Sequence, residues 1–131
     1  MKTHHWNKLK SIFSLGSGNQ LITFEAIKVK HGKINSIGYI FNNSAYIADC
    51  NQLSKSNIER LKNLKYFIID CLRFKPHPSH FCFDEVLSIL KEIKPKKTIL
   101  TNLHSDLDYN ILLKKSPINV KPAFDGLKIQ L

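Results

Sequence analysis

Two prolines two residues apart, in Arg73-Phe74-Lys75-Pro76-His77-Pro78-Ser79-His80, constrain this chain more than any other local feature. Neither a helix nor a strand ladder runs through such a pair. Directly before it stands Tyr66-Phe67-Ile68-Ile69-Asp70-Cys71, a near-continuous apolar run of the kind that forms a strand buried on both faces. Directly after it, Phe83, Val86, Leu87, Leu90 and Ile93 recur at helical spacing until Pro95 ends the pattern. Lys97 to Leu103 then reads as another strand, so a basic, His-bearing loop is held between regular elements on both sides.

The flanks extend this layout. Ile22, Phe24 and Ala26 alternate in a strand from Leu21 to Val29, which His31-Gly32 ends. Ser36–Phe41, the turn Asn42-Asn43 and Ser44–Cys50 predict a hairpin, because paired asparagines tolerate the positive φ that a two-residue turn demands. Ser54 or Ser56 caps a helix to about Asn63; Glu59, three residues after Ser56, completes a capping-box pattern, with Ile58 and Leu61 inward. Asp108 to Lys115 reads as a short helix, and Leu127 to Leu131 as a last strand after the turn Asp125-Gly126. Hairpin first and strand–helix alternation afterwards predict a layered α/β sheet of mixed strand direction. Residues 1–20 are expected to be poorly structured, including the His4-His5 pair, whose side chains point in different directions; residues 21–131 form the domain.

Lys and Arg exceed Asp and Glu by ten, 20 against 10, which brings anionic partners into question. The lysines are spread along the chain and only Arg60 and Arg73 are arginine, so diffuse solubilising charge is preferred and a nucleic-acid partner is not expected. Cys50, Cys71 and Cys82 share no metal-ligand spacing and read as reduced, buried thiols. No apolar run is long enough to span a membrane and no signal-peptide layout is present, so a cytoplasmic protein is expected.

Groups with ligand chemistry fall at strand ends: His31, Asp49, His77 or His80, and His104 with Asp106 and Asp108. Imidazole with carboxylate suits Zn²⁺ or Mn²⁺, and a carboxylate between two ions can bridge them. Four stretches carry a resemblance over roughly four fifths of the chain: Val29-Lys30-His31-Gly32 with Ser36-Ile37-Gly38-Tyr39; Ala45-Tyr46-Ile47-Ala48-Asp49; Asp70 through Arg73, Pro76-His77-Pro78 and His80-Phe81 to Asp84-Glu85; and Thr101 to Tyr109 with Pro122-Ala123-Phe124-Asp125-Gly126-Leu127. In that order they resemble the C-terminal half of the metallo-β-lactamase-fold metallohydrolases, in the branch that includes the cyclic phosphodiesterase of bacterial phosphonate breakdown.

The resemblance implies the C-terminal half of an αββα sandwich, a mixed sheet with flanking helices, and a metal-dependent phosphodiesterase using two Zn or Mn ions. It implies His31 as a metal ligand, Asp49 as the bridging carboxylate, His80 as proton donor to the leaving group and His77 as a substrate contact. Where the family has a final metal-binding His, this chain has Asn102; His104 is expected to take its place if both residues lie on one face of an extended strand. The His-x-His-x-Asp-His signature of the family is nowhere in these 131 residues. The resemblance therefore implies that the N-terminal half is absent and is supplied by a complementary half-chain, with a small phosphodiester as substrate. The alternatives are an inactive truncated remnant that holds no metal, and a non-catalytic basic module that binds phosphate or nucleic acid.

Overall fold

The computed structural model describes residues 12–131; the His4-His5 pair lies outside the described residues. In chain order the elements are β1 (Ile12–Leu15), β2 (Ile22–His31), β3 (Ile34–Phe41), β4 (Ser44–Ile47), α1 (Lys55–Arg60), β5 (Tyr66–Asp70), α2 (Phe83–Ile93), β6 (Lys97–Thr101), α3 (Tyr109–Lys115) and β7 (Val120–Pro122). The strands form one sheet in that same order, antiparallel from β1 to β4 and parallel from β4 to β7. This is the mixed α/β sheet expected, and the Asn42-Asn43 turn has the positive φ at both residues that its hairpin needs.

Parallel neighbours in sequential order require crossovers, and crossovers of one hand place their helices on one side. Accordingly Leu61, Phe83, Val86, Ile93 and Leu112 from the helical segments share one buried cluster with Ile27, Val29, Ile47, Phe67, Ile69, Leu100 and Val120 of the strands. Gly38 lies on this covered face, where an added Cβ would meet Ile47 Cγ1 at 2.9 Å. The register places Phe13, Phe24, Tyr39, Tyr46, Ile68 and Ile99 on the opposite face. Among the described residues no helix packs there. Phe24 instead stacks on Phe13 with ring centroids 5.4 Å apart and meets Phe41 at 4.9 Å, while Tyr46 stays 41% exposed.

Several expectations are corrected. Within the 1–20 segment expected to be poorly structured, Ile12–Leu15 pairs with Ile22–Glu25 as β1. Ser54, not Ser56, caps α1, its side chain accepting from the Asn57 N–H; Glu59 pairs with Lys62 rather than closing a box. A Glu does reach back to a cap backbone N–H at α2, where Glu85 accepts from Cys82. The last strand is Val120–Pro122, and Leu127–Leu131 is irregular. No helix among the described residues is long and apolar enough to cross a membrane.

Candidate active site

Strand ends build the site. β2 finishes at His31, β4 leads into Asp49, β5 finishes at Asp70, and the proline loop after β5 returns His80 over that end. His31, Asp49 and His80 offer ligand atoms that all lie within 4.8 Å of one another. His77 stands beside them, its ring centroid 5.1 Å from that of His80.

Each ring is fixed by its other nitrogen. His31 Nδ1 lies 2.8 Å from the Ser79 carbonyl and must donate to it, leaving Nε2 with a free lone pair. His80 Nδ1 donates to Asp70 Oδ2 at 2.6 Å, so its Nε2 is likewise the working atom. At His77 the sense is reversed: Nδ1 accepts from the Ser79 N–H at 3.3 Å, which leaves Nε2–H as a donor in the neutral ring. Partial burial foremost, then the Arg73 guanidinium and the His80 and His31 rings, push the His77 imidazole below its ordinary value. The cluster thus offers two imidazole lone pairs and one N–H donor.

Asp70 was marked in the sequence as a strand end and as part of the resemblance, but was given no role in the site. It is fully buried, and its carboxylate accepts from the Cys50 N–H (3.0 Å), His80 Nδ1 and Asn102 Nδ2 (3.0 Å). A buried carboxylate stripped of water needs such donors, and here the same bonds set the ring of His80. Its position at the last residue of an apolar run was the signal available. Asn51 fastens the other side: its Oδ1 accepts from the Gly32 N–H at 2.7 Å and its Nδ2 donates to the Pro78 carbonyl at 3.3 Å. Gly32, at φ +61, leaves room for Ser79, whose Cβ would lie 3.2 Å from an added Cβ.

His104 is not brought to the cluster. β6 stops at Thr101, and Asn102 has φ +57, so residues 102 and 104 do not share the face of an extended strand. His104 is exposed and faces Asp106, with Nδ1 3.3 Å from the carboxylate, while Asp108 caps α3 by accepting from the Ile111 N–H. Asn102 itself reaches inward, spending its amide on Asp70 and lying 3.4 Å from His80 Nδ1. The thiols stay out of the chemistry: burial, then the Asp70 charge among smaller influences, pushes Cys50 and Cys71 up to about 12, and burial raises Cys82.

Residues 2–102 match the family model described as the beta-lactamase superfamily domain. The chain belongs to that superfamily. Its fold is shared with solved structures: a diphosphatase from the PhnP family is 30% identical, with a TM-score of 0.82 over 90% of this chain. YhfI from Bacillus subtilis, a metallo-beta-lactamase fold protein, superimposes with a TM-score of 0.69 at 20% identity over 88% of the chain. The short form of human tRNase Z does so with 0.63 at 15% identity over 92%. This superfamily domain spans about half of those structures, 46%, 51% and 47% of their chains. An octanoyltransferase of Porphyromonas gingivalis is 27% identical over 110 residues, which are 82% of this chain and 22% of that protein.

The donor set fits the metal ions that the superfamily generally uses. The His31 imidazole, whose Nδ1 is held by a carbonyl, and the exposed Asp49 carboxylate are borderline N/O ligands suited to such an ion, and His80 stands beside them with its Nδ1 held by Asp70.

Proposed function

We propose that this chain is the C-terminal half of a metal-dependent phosphodiesterase. The observation that carries the reading is the convergence of His31, Asp49 and His80 within 4.8 Å, with the buried Asp70 behind His80. The 30% identity to a PhnP-family diphosphatase favours phosphoester substrates over the other chemistries of the fold. Octanoyl transfer gains no support, because the shared stretch is 22% of that relative and the thiols here are buried and protonated.

His31 through Nε2 and Asp49 through its carboxylate would hold Zn²⁺ or Mn²⁺. Such an ion supplies Lewis acidity at a phosphoryl oxygen and activates water near neutral pH. His80 gives its Nε2 proton to the departing oxygen, and Asp70 orients the ring through Nδ1. His77 offers Nε2–H to a non-bridging phosphate oxygen.

Two ligands do not fix an ion, so the remaining donors come from a complementary half, which we place against the bare sheet face. Its Phe13, Phe24, Tyr39 and Tyr46 present the apolar surface that a second sheet covers in a sandwich. The inactive remnant is favoured instead by Asn102, an amide that serves Asp70 where the resemblance has a metal-binding imidazole.

The test is elemental analysis and diester hydrolysis on tagged chain recovered from its own host, where any natural companion is present. The hydrolase reading expects about two Zn or Mn per complex, loss of metal in Asp49→Ala, and retained metal with hydrolysis cut at least about 100-fold in His80→Ala. Loss of metal in His80→Ala would make His80 a ligand and sink its assignment as proton donor. No metal and no hydrolysis in the wild type would leave the remnant.

A further inference from the structure

His31 and His77 hold their ring protons on opposite nitrogens, and both assignments come from one residue of the proline loop. The Ser79 N–H donates to His77 Nδ1 at 3.3 Å, with the Ser79 hydroxyl also 3.3 Å from that nitrogen. The Ser79 carbonyl accepts from His31 Nδ1 at 2.8 Å. Whatever fixes the backbone at Ser79 therefore decides which nitrogen each ring presents.

The side chain of Asn51 does so. The Pro78 carbonyl and the Ser79 N–H belong to one planar peptide group, trans like every peptide bond among the described residues, so the two point in opposite directions. Asn51 Nδ2 donates to that carbonyl at 3.3 Å, which turns the N–H away from Asn51 and onto His77. Asn51 is itself tied to the end of β2: its N–H donates to the Lys30 carbonyl at 2.8 Å and its Oδ1 accepts from the Gly32 N–H at 2.7 Å. Cys50 before it is pinned as well, its N–H on Asp70 and its carbonyl accepting from the Phe81 N–H at 2.8 Å. The loop is thus hung from a strand end rather than from another loop.

The two partners of this side chain differ in kind, since an N–H only donates and a carbonyl only accepts. An amide satisfies both. A carboxylate, which only accepts when ionised, satisfies Gly32 and repels Pro78. We propose that Asn51 is the positioning residue of the site: through the Pro78–Ser79 peptide it gives His77 a donating Nε2–H and His31 a bare Nε2. The proposal rests on the hydrolase reading for its meaning but not for its measurement.

The measurement is long-range ¹H–¹⁵N NMR of the imidazoles in the ¹⁵N-labelled full chain, without metal, at pH about 8, where an ordinary imidazole is neutral and an ordinary carboxyl ionised. The wild type should show His31 protonated on Nδ1 alone and His77 on Nε2 alone. Asn51→Asp keeps the acceptor for Gly32 but sets two acceptors against each other at Pro78, so both rings should become mixtures of tautomers while His80 keeps its Nδ1 proton on Asp70. Asn51→Ala should release the same two rings; if it does not fold, Asn51→Asp, which retains the strand anchor, decides alone. Unaltered tautomers at His31 and His77 in Asn51→Asp overturn the proposal. So does a change at His80 alongside them, which would be general loosening instead of positioning. Metal in the host-recovered chain with tautomers indifferent to Asn51 removes this inference alone, whereas tautomers that follow Asn51 in a chain that takes up no metal remove the hydrolase reading and leave the positioning.

Discussion

The two faces of the sheet differ in everything but backbone. On the covered face Ile27, Ile47, Phe67, Ile69 and Leu100 are at most 2% exposed and meet three helices. On the bare face Phe24, Tyr39 and Ile68 are only half-buried, and Phe24 rests on the rings of Phe13 and Phe41; only Ile99, toward β7, is as low as 8% exposed among the hydrophobic residues placed there. One face completes a core; the other leaves its rings half-exposed. The site lies at the rim common to both, where strands end and loops cross.

The largest expected effect tests the contrast directly. Phe67→Ala removes a fully buried ring and should cost about 3–5 kcal/mol in denaturant unfolding. Phe24→Ala on the bare face should cost less than half of that, roughly 1–2 kcal/mol. Equal losses would mean that the bare face is as well packed as the other and needs no covering layer.

Asp70 sharpens the comparison, since it shares the register of Tyr66 and Ile68 on the bare side yet is sealed by His80 and Asn102. Asp70→Ala should destabilise by about 1–3 kcal/mol, because the Cys50 N–H loses its acceptor. It should also release the His80 ring, seen as a changed imidazole tautomer by NMR. A rigid His80 in that variant would remove Asp70 from the positioning role.

The smallest effect is read by pH. Cys71 follows Phe67 and Ile69 in the covered register, and burial raises its thiol from the ordinary 9.0 to about 12. Above pH 9 the unfolded chain gives up this proton while the folded chain keeps it. Cys71 should therefore lower stability by roughly 1.4 kcal/mol per pH unit until about pH 12, and the likewise raised Cys50 should add a similar slope. Cys71→Ala should remove its own share and leave that of Cys50; an identical slope would show that water reaches the Cys71 thiol and that the covered face is not dry there.

What was legible in the residues was local or periodic. The α2 stripe and the Asn42-Asn43 turn depend on neighbours a few residues apart, and both are found where expected. His31, Asp49 and His80 were marked by resemblance, and the folded chain gathers them. The misreadings have physical causes. β6 looked longer because Leu103 continues the apolar run, but the left-handed turn at Asn102 ends the strand and carries His104 away. β1 depends on pairing with β2, which no local propensity encodes. Asp70 looked like the polar end of a strand; its importance comes from three donors that only the tertiary structure delivers.

The Asn51 bridge and the His31–Ser79 bond have a kinetic consequence. The hairpins of β2, β3 and β4 close over a few residues, whereas His31 meets Ser79 across 48 residues of chain. Loop closure of that length becomes favourable only after α1, β5 and the proline loop have taken their places. The donor cluster therefore depends on a longer closure than the hairpins, and a chain that has folded those hairpins but not its site would keep much of its strand signal in circular dichroism while binding nothing.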